Sequence, residues 1–115
     1  MKYCRILSLK SIPNRLIENH KNNFIQYTNQ LQKECKKQPG FIATESFWIQ
    51  DVQRTFPEKT AVLTISTWDT IHNWSSWFES SKRNNIHKQF KFIEKEEKFY
   101  QLKLCKNNDI FFYCL

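Results

Sequence analysis

Alternation and three-to-four spacing divide the chain into segments before any single residue stands out. Residues 3–10 (YCRILSLK) set Tyr3, Arg5, Leu7 and Leu9 against Cys4, Ile6, Ser8 and Lys10, the period of two that predicts a first strand, with neither face purely apolar. Pro13 and Asn14 then supply a rigid turn and an N-cap. From there Ile17, His20, Phe24, Tyr27, Leu31 and Cys35 recur at steps of three and four and predict one stripe of a long helix, in which His20 reads as a core-edge residue. Lys36 and Lys37 suit the negative end of that helix, and Pro39-Gly40 stops it. Residues 41–50 (FIATESFWIQ), rich in β-branched and aromatic side chains, predict a second strand, and residues 51–59 a polar connection containing Pro57. Residues 60–68 (TAVLTISTW) predict a third strand, with Ala61, Leu63 and Ile65 on one face and Val62, Thr64, Ser66 and Trp68 on the other.

Asp69 or Thr70 can cap the next helix, where Ile71, Trp74, Trp77 and Phe78 follow helical spacing. Ser80 and Ser81 mark a recapping before a second helical piece, in which Ile86, Phe90 and Ile93 form one stripe and Arg83 and His87 share a face at i, i+4. Residues 99–105 complete the pattern as a fourth strand, and residues 106–115, ending in IFFYCL, form an apolar extension beyond a domain at 1–105. The order β-α-β-β-α-β predicts an α+β, ferredoxin-like fold, a four-stranded antiparallel sheet with both helical regions on one face. Its other face is left bare. With Ile42, Trp48 and Val62 assigned to that side, a second copy is expected to close it, sheet against sheet, as a homodimer.

Composition narrows the function. The chain has 115 residues, one domain's worth, and 40% hydrophobic with 16% aromatic residues is too apolar for disorder. A net charge of +7 admits nucleic acid, but the lysines are interspersed with acids and the first and third strands lack a Gly-aromatic signature, so solvated helix faces explain the charge. The sequence has no apolar run that would span a bilayer and no signal-peptide pattern, which predicts a cytoplasmic protein away from the membrane. Cys4, Cys35, Cys105 and Cys114 lack the close spacing of a zinc site and read as reduced thiols, with no metal implied. One glycine in the chain excludes phosphate-cradling loops and the nucleophile elbow.

Residues 68–87 concentrate three of the four tryptophans and two of the three histidines, and a ligand site is expected there. Pro39-Gly40-Phe41, Glu45, a strand ending in Trp68, a helix with Trp77, Ser80 and then His87 together make a pattern that resembles the antibiotic biosynthesis monooxygenase superfamily of dimeric α/β barrels, over roughly residues 2–104. The resemblance implies a monooxygenase that uses dioxygen on an aromatic or polycyclic substrate in a pocket between helices and sheet. Cofactor-free members oxidise phenols whose own carbanion reduces dioxygen, so that the protein need only deprotonate, position and exclude water. An alternative likeness is to the haem-degrading monooxygenases, whose distal tryptophan falls on Trp77 and whose iron-ligating histidine falls on His87, with Arg83, Lys88 or Lys91 meeting the propionates. Those enzymes carry an asparagine on the first strand; here Leu7 or Ser8 stands near that position, leaving Ser8 as the hydrogen-bond donor. The resemblance thus implies a catalytic set of Ser8, Trp77 and His87, with His87, Arg83 and Trp77 toward a haem if one binds. A third reading is a non-catalytic, dimeric ligand-binding barrel in which the tryptophans, Trp68 and Trp74 above all, belong to the core.

Overall fold

The computed structural model describes residues 3–49 and 59–103. Along the chain run β1 (Cys4–Pro13), a 3₁₀ turn (Asn14–Leu16), α1 (Ile17–Cys35), β2 (Phe41–Ile49), β3 (Lys59–Trp68), α2 (Ile71–Phe78), α3 (Ser81–Gln89) and β4 (Glu96–Leu102). The strands pair in the order β2-β3-β1-β4, antiparallel throughout, which is the ferredoxin-like arrangement that the element order predicts. Gln50, most of the connection at 51–59, Cys105, Cys114 and the extension at 106–115 lie outside the described residues.

Alternation fixes the two faces of the sheet. On β1, Cys4, Ile6, Ser8, Lys10 and Ile12 are buried, and across from them β3 buries Val62, Thr64, Ser66 and Trp68. The helices cover this side. Phe24, Tyr27, Leu31 and Cys35 of α1, Trp77 of α2, Ile86 of α3, and Phe90 and Ile93 beyond it close one core with the sheet residues. Thr70 Oγ1 caps α2 by accepting from the Asn73 amide at 3.2 Å, and Ser80 Oγ caps α3 by accepting from the Arg83 amide at 3.2 Å, so the recapping read from the sequence is present. No helix among the described residues is long and apolar enough to cross a membrane.

Four details differ from the sequence reading. Asn14 does not cap α1, which follows Leu16 without a side-chain cap; its Oδ1 accepts from Thr60 Oγ1 at 2.6 Å and ties the turn to β3. β1 runs three residues further, to Pro13, and β4 begins three residues earlier, at Glu96, because β1 pairs with it as far as Ser11. Trp48 and Val62 belong to the helix-covered side: Val62 is buried and pairs with Trp48 across the strands, and the Trp48 ring lies 6.3 Å from Phe24. Ile42 is the extra residue of a β-bulge. The bare face instead carries Leu7, Leu9, Leu63 and Ile65 at its centre, half-exposed, with Phe47, Ile49 and Tyr100 exposed toward its margins.

Candidate functional site

The covered face of the sheet is the more polar of the two, and this creates the site. Ser8 stands opposite Thr64 on one side and Phe99 on the other, while Lys10 stands opposite Val62 and Glu97. Above this floor α1 contributes Thr28, Leu31 and Cys35, α2 contributes Trp74 and Trp77, and α3 contributes Arg83. Between them is a cavity of about 50 Å³; counting the space that opens to solvent, the unfilled volume is about 500 Å³.

A charged chain runs outward from Arg83, behind one wall of the cavity. Arg83 Nη2 donates to Glu97 Oε2 at 2.9 Å, and the guanidinium lies over the Phe78 ring at 4.5 Å and the Phe99 ring at 5.4 Å. Tyr27, fully buried, donates its hydroxyl proton to the other Glu97 oxygen, and burial beside that carboxylate holds the phenol well above its ordinary range. His87 Nδ1 lies 3.2 Å from the same hydroxyl. A tyrosine hydroxyl has one proton to give, so with that proton on Glu97 it accepts from His87, which fixes the Nδ1–H tautomer and leaves Nε2 as the acceptor. Burial outweighs Glu97 and pushes the imidazole below its usual value, in keeping with this neutral form.

Lys10 is the least expected member of the set. It is 6% exposed, and among the described residues its ammonium makes one hydrogen bond, to Ser8 Oγ at 2.7 Å. Desolvation holds its pKa below the ordinary lysine value, opposed by Glu97 and reinforced by Arg83. Nearby, burial pushes the Cys35 thiol up to about 12, so this cysteine is a neutral thiol.

Of the residues singled out in the sequence, Ser8, Trp77 and Arg83 come together on the cavity wall. His87 does not line it: the side chain is exposed on α3 and joins the wall through Tyr27, Glu97 and Arg83. Lys88 and Lys91 are exposed beside it. A haem would have to meet both Trp77 and the His87 imidazole, and neither the cavity's size nor this separation provides for that; the residues do not fit haem held between them. Trp68 is fully buried with Nε1 donating to Ser66 Oγ at 3.0 Å, and Trp74 stacks on Phe78 with ring centroids 5.1 Å apart at the cavity edge. Lys10, Tyr27 and Glu97 were not singled out. The signal for Lys10 was its place two residues from Ser8 on the same face as Ile6 and Cys4.

No protein-family model and no curated protein matches the chain. Solved structures do match it in fold. A conserved protein of unknown function from Bacteroides thetaiotaomicron, described as a possible oxidoreductase, is 14% identical over 89% of this chain and 100% of its own, with a TM-score of 0.62. An antibiotic biosynthesis monooxygenase is 10% identical over 90% of this chain and 99% of its own, with a TM-score of 0.63. SnoaB from Streptomyces nogalater, a cofactor-independent oxygenase, is 9% identical over 93% of this chain and 99% of its own, with a TM-score of 0.57. The fold is therefore that of antibiotic biosynthesis monooxygenases, in accord with the resemblance read from the sequence.

Proposed function

We propose that the chain is an oxygenase of the antibiotic biosynthesis monooxygenase type, acting without a resident cofactor on an aromatic substrate that carries an acidic oxygen. One observation carries the reading: Trp74 and Trp77 of α2 and Phe99 of the sheet line one cavity, partly open to solvent, together with the polar groups of Ser8 and Arg83. Such a site can hold a phenol or enol by its ring, stabilise its anion with a hydroxyl and a guanidinium, and keep water from the reacting carbon. The carbanion form of the substrate then reduces dioxygen. In the overall change one CH₂ and one O₂ become one C=O and one H₂O, with no electrons required from a flavin or metal. Trp77 positions the ring, Ser8 and Arg83 bind the oxyanion, and His87, through Tyr27, orients the Glu97 carboxylate that holds Arg83 in place. The working form is a homodimer closed over Leu7, Leu9, Leu63 and Ile65 of the bare face, an apolar patch of the kind that a second copy covers.

The test is oxygen uptake by purified protein given an anthrone, whose ring-activated CH₂ becomes a quinone carbonyl. Uptake with stoichiometric quinone and no added metal, flavin or haem is the expected result, with Ser8→Ala slower by roughly 10²-fold, the typical loss of one oxyanion donor. Trp77→Phe, which preserves packing, should raise KM more than it lowers kcat. Uptake no faster than in buffer across a panel of phenols would sink the oxygenase reading and leave a ligand-binding barrel.

A further inference from the structure

We propose that the inner end of the cavity is an anion site, in which the Lys10 ammonium receives the carboxylate or enolate oxygen of a small acid. This deepens the reading above, resting on the same cavity, but it concerns binding alone. The charges around the cavity are unbalanced. Lys10 and Arg83 both line the cavity and no Asp or Glu does. Glu97, the carboxylate nearest to them, already has both oxygens engaged, one by Arg83 and the other by Tyr27. Cys35 stays neutral and supplies no counter-charge. Among the described residues, Lys10 therefore has one hydroxyl partner for three N–H donors and, 5.9 Å from Nζ, the centroid of the Phe99 ring, in a place where an incompletely compensated ammonium is costly.

The surroundings fit an oxyanion. Ser66 Oγ accepts from the Trp68 indole, so its own proton is available to another acceptor, and Ser8, in accepting from Lys10, keeps its proton as well. The cavity of about 50 Å³ admits a carboxylate or enolate head, and the ring of an acid would extend along Trp74 and Trp77, which also line it. The titratable groups facing Lys10 are Glu97 on β4, Arg83 on α3 and Cys35 on α1. Of these only Glu97 carries negative charge when no ligand is bound, and that balance of charges ties ligand binding to a proton. Burial weakens the hold of Lys10 on its proton, and an arriving anion restores it, so binding draws a proton from solvent.

Calorimetric titration of the full chain with benzoate and with neutral benzamide, in buffers of different ionisation enthalpy from about pH 6 to about pH 10, tests this. Tryptophan fluorescence serves as an independent binding signal. Benzoate should bind at least about tenfold tighter than benzamide, the difference expected of a charge-assisted hydrogen bond. It should take up as much as about one proton per ligand where Lys10 titrates, and Lys10→Met should lose both effects. Benzoate binding no tighter than benzamide, or proton uptake that persists in Lys10→Met, overturns the proposal. Should Lys10→Met fail to fold, the wild-type contrast between benzoate and benzamide decides the matter. No oxygen is consumed in this experiment, so it can succeed where the anthrone assay fails, and the reverse.

Discussion

A lysine that faces inward on a central strand carries a cost that its sequence neighbourhood conceals. Ser8 and Lys10 make one face of β1 look half wet, and alternation alone gives no reason to prefer that face for the core. The decision rests on the aromatic mass brought by Phe24, Tyr27 and Trp77, which covers the hydroxyl-rich side of the sheet. The same concealment explains why Trp77, Ser8 and Arg83 could be singled out while Lys10 and Glu97 could not: their partnership is a cross-strand register between the first and last strands. The pH dependence of stability follows from the shifted groups. Lys10 has a folded pKa below its unfolded one, so between those values the unfolded chain binds more protons and stability rises with pH. Cys35 behaves oppositely. Its folded value of about 12 exceeds the ordinary thiol value of 9.0, so the native state keeps a proton that the unfolded state loses, and stability falls over that interval. Urea midpoints should climb toward about pH 9, level off while the two groups oppose each other and decline above about pH 10.5, and Lys10→Met should flatten the climb while raising stability at neutral pH by about 1–4 kcal/mol, as replacement of buried charges often does. An unchanged slope in Lys10→Met would contradict the assignment.

Between elements, the joint at Gly40 concentrates the tightest constraint. With φ at +80° it follows the end of α1 in the left-handed region, and a Cβ there would lie 2.2 Å from Asp69 Oδ1 and 2.8 Å from Asn73 Cβ. Its carbonyl accepts from the Asp69 amide at 2.8 Å, so the turn after α1 is held against the entrance to α2. Gly40→Ala should cost well over about 1 kcal/mol in chemical denaturation, since strain and crowding act together. Ser80→Ala should cost about 1 kcal/mol by leaving the Arg83 amide uncapped, with a matching rise in hydrogen exchange at the start of α3. Both features were legible in the sequence, one as the lone glycine after a proline and the other as a serine between two helical stripes. Asn14 was not, because an Asn after Pro reads as a cap whether it turns to its own helix or, as here, to Thr60 on a distant strand.

For the molecule as a whole, the order of elements made the topology readable, since four strands interrupted by helices after the first and the third leave few ways to pair. What it did not settle was which side of the sheet stays bare. The proposed dimer through that side predicts a doubled mass by light scattering at micromolar concentration and a shift toward monomer in Leu63→Glu, whose side chain points away from the cavity. A monomeric wild type would remove the pairing from the account. The placement of β1 has a temporal consequence as well. It lies between β3 and β4, so Arg5 must find both Thr67 and Leu102. Closing those distant pairs makes for slow folding compared with local helices. On a ribosome adding about 5–20 residues per second, β1 waits on the order of ten seconds for its last neighbour to be synthesised. During that interval its apolar and cationic positions have no inside to occupy, and the unfinished chain exposes an unpaired strand edge of the kind that promotes aggregation.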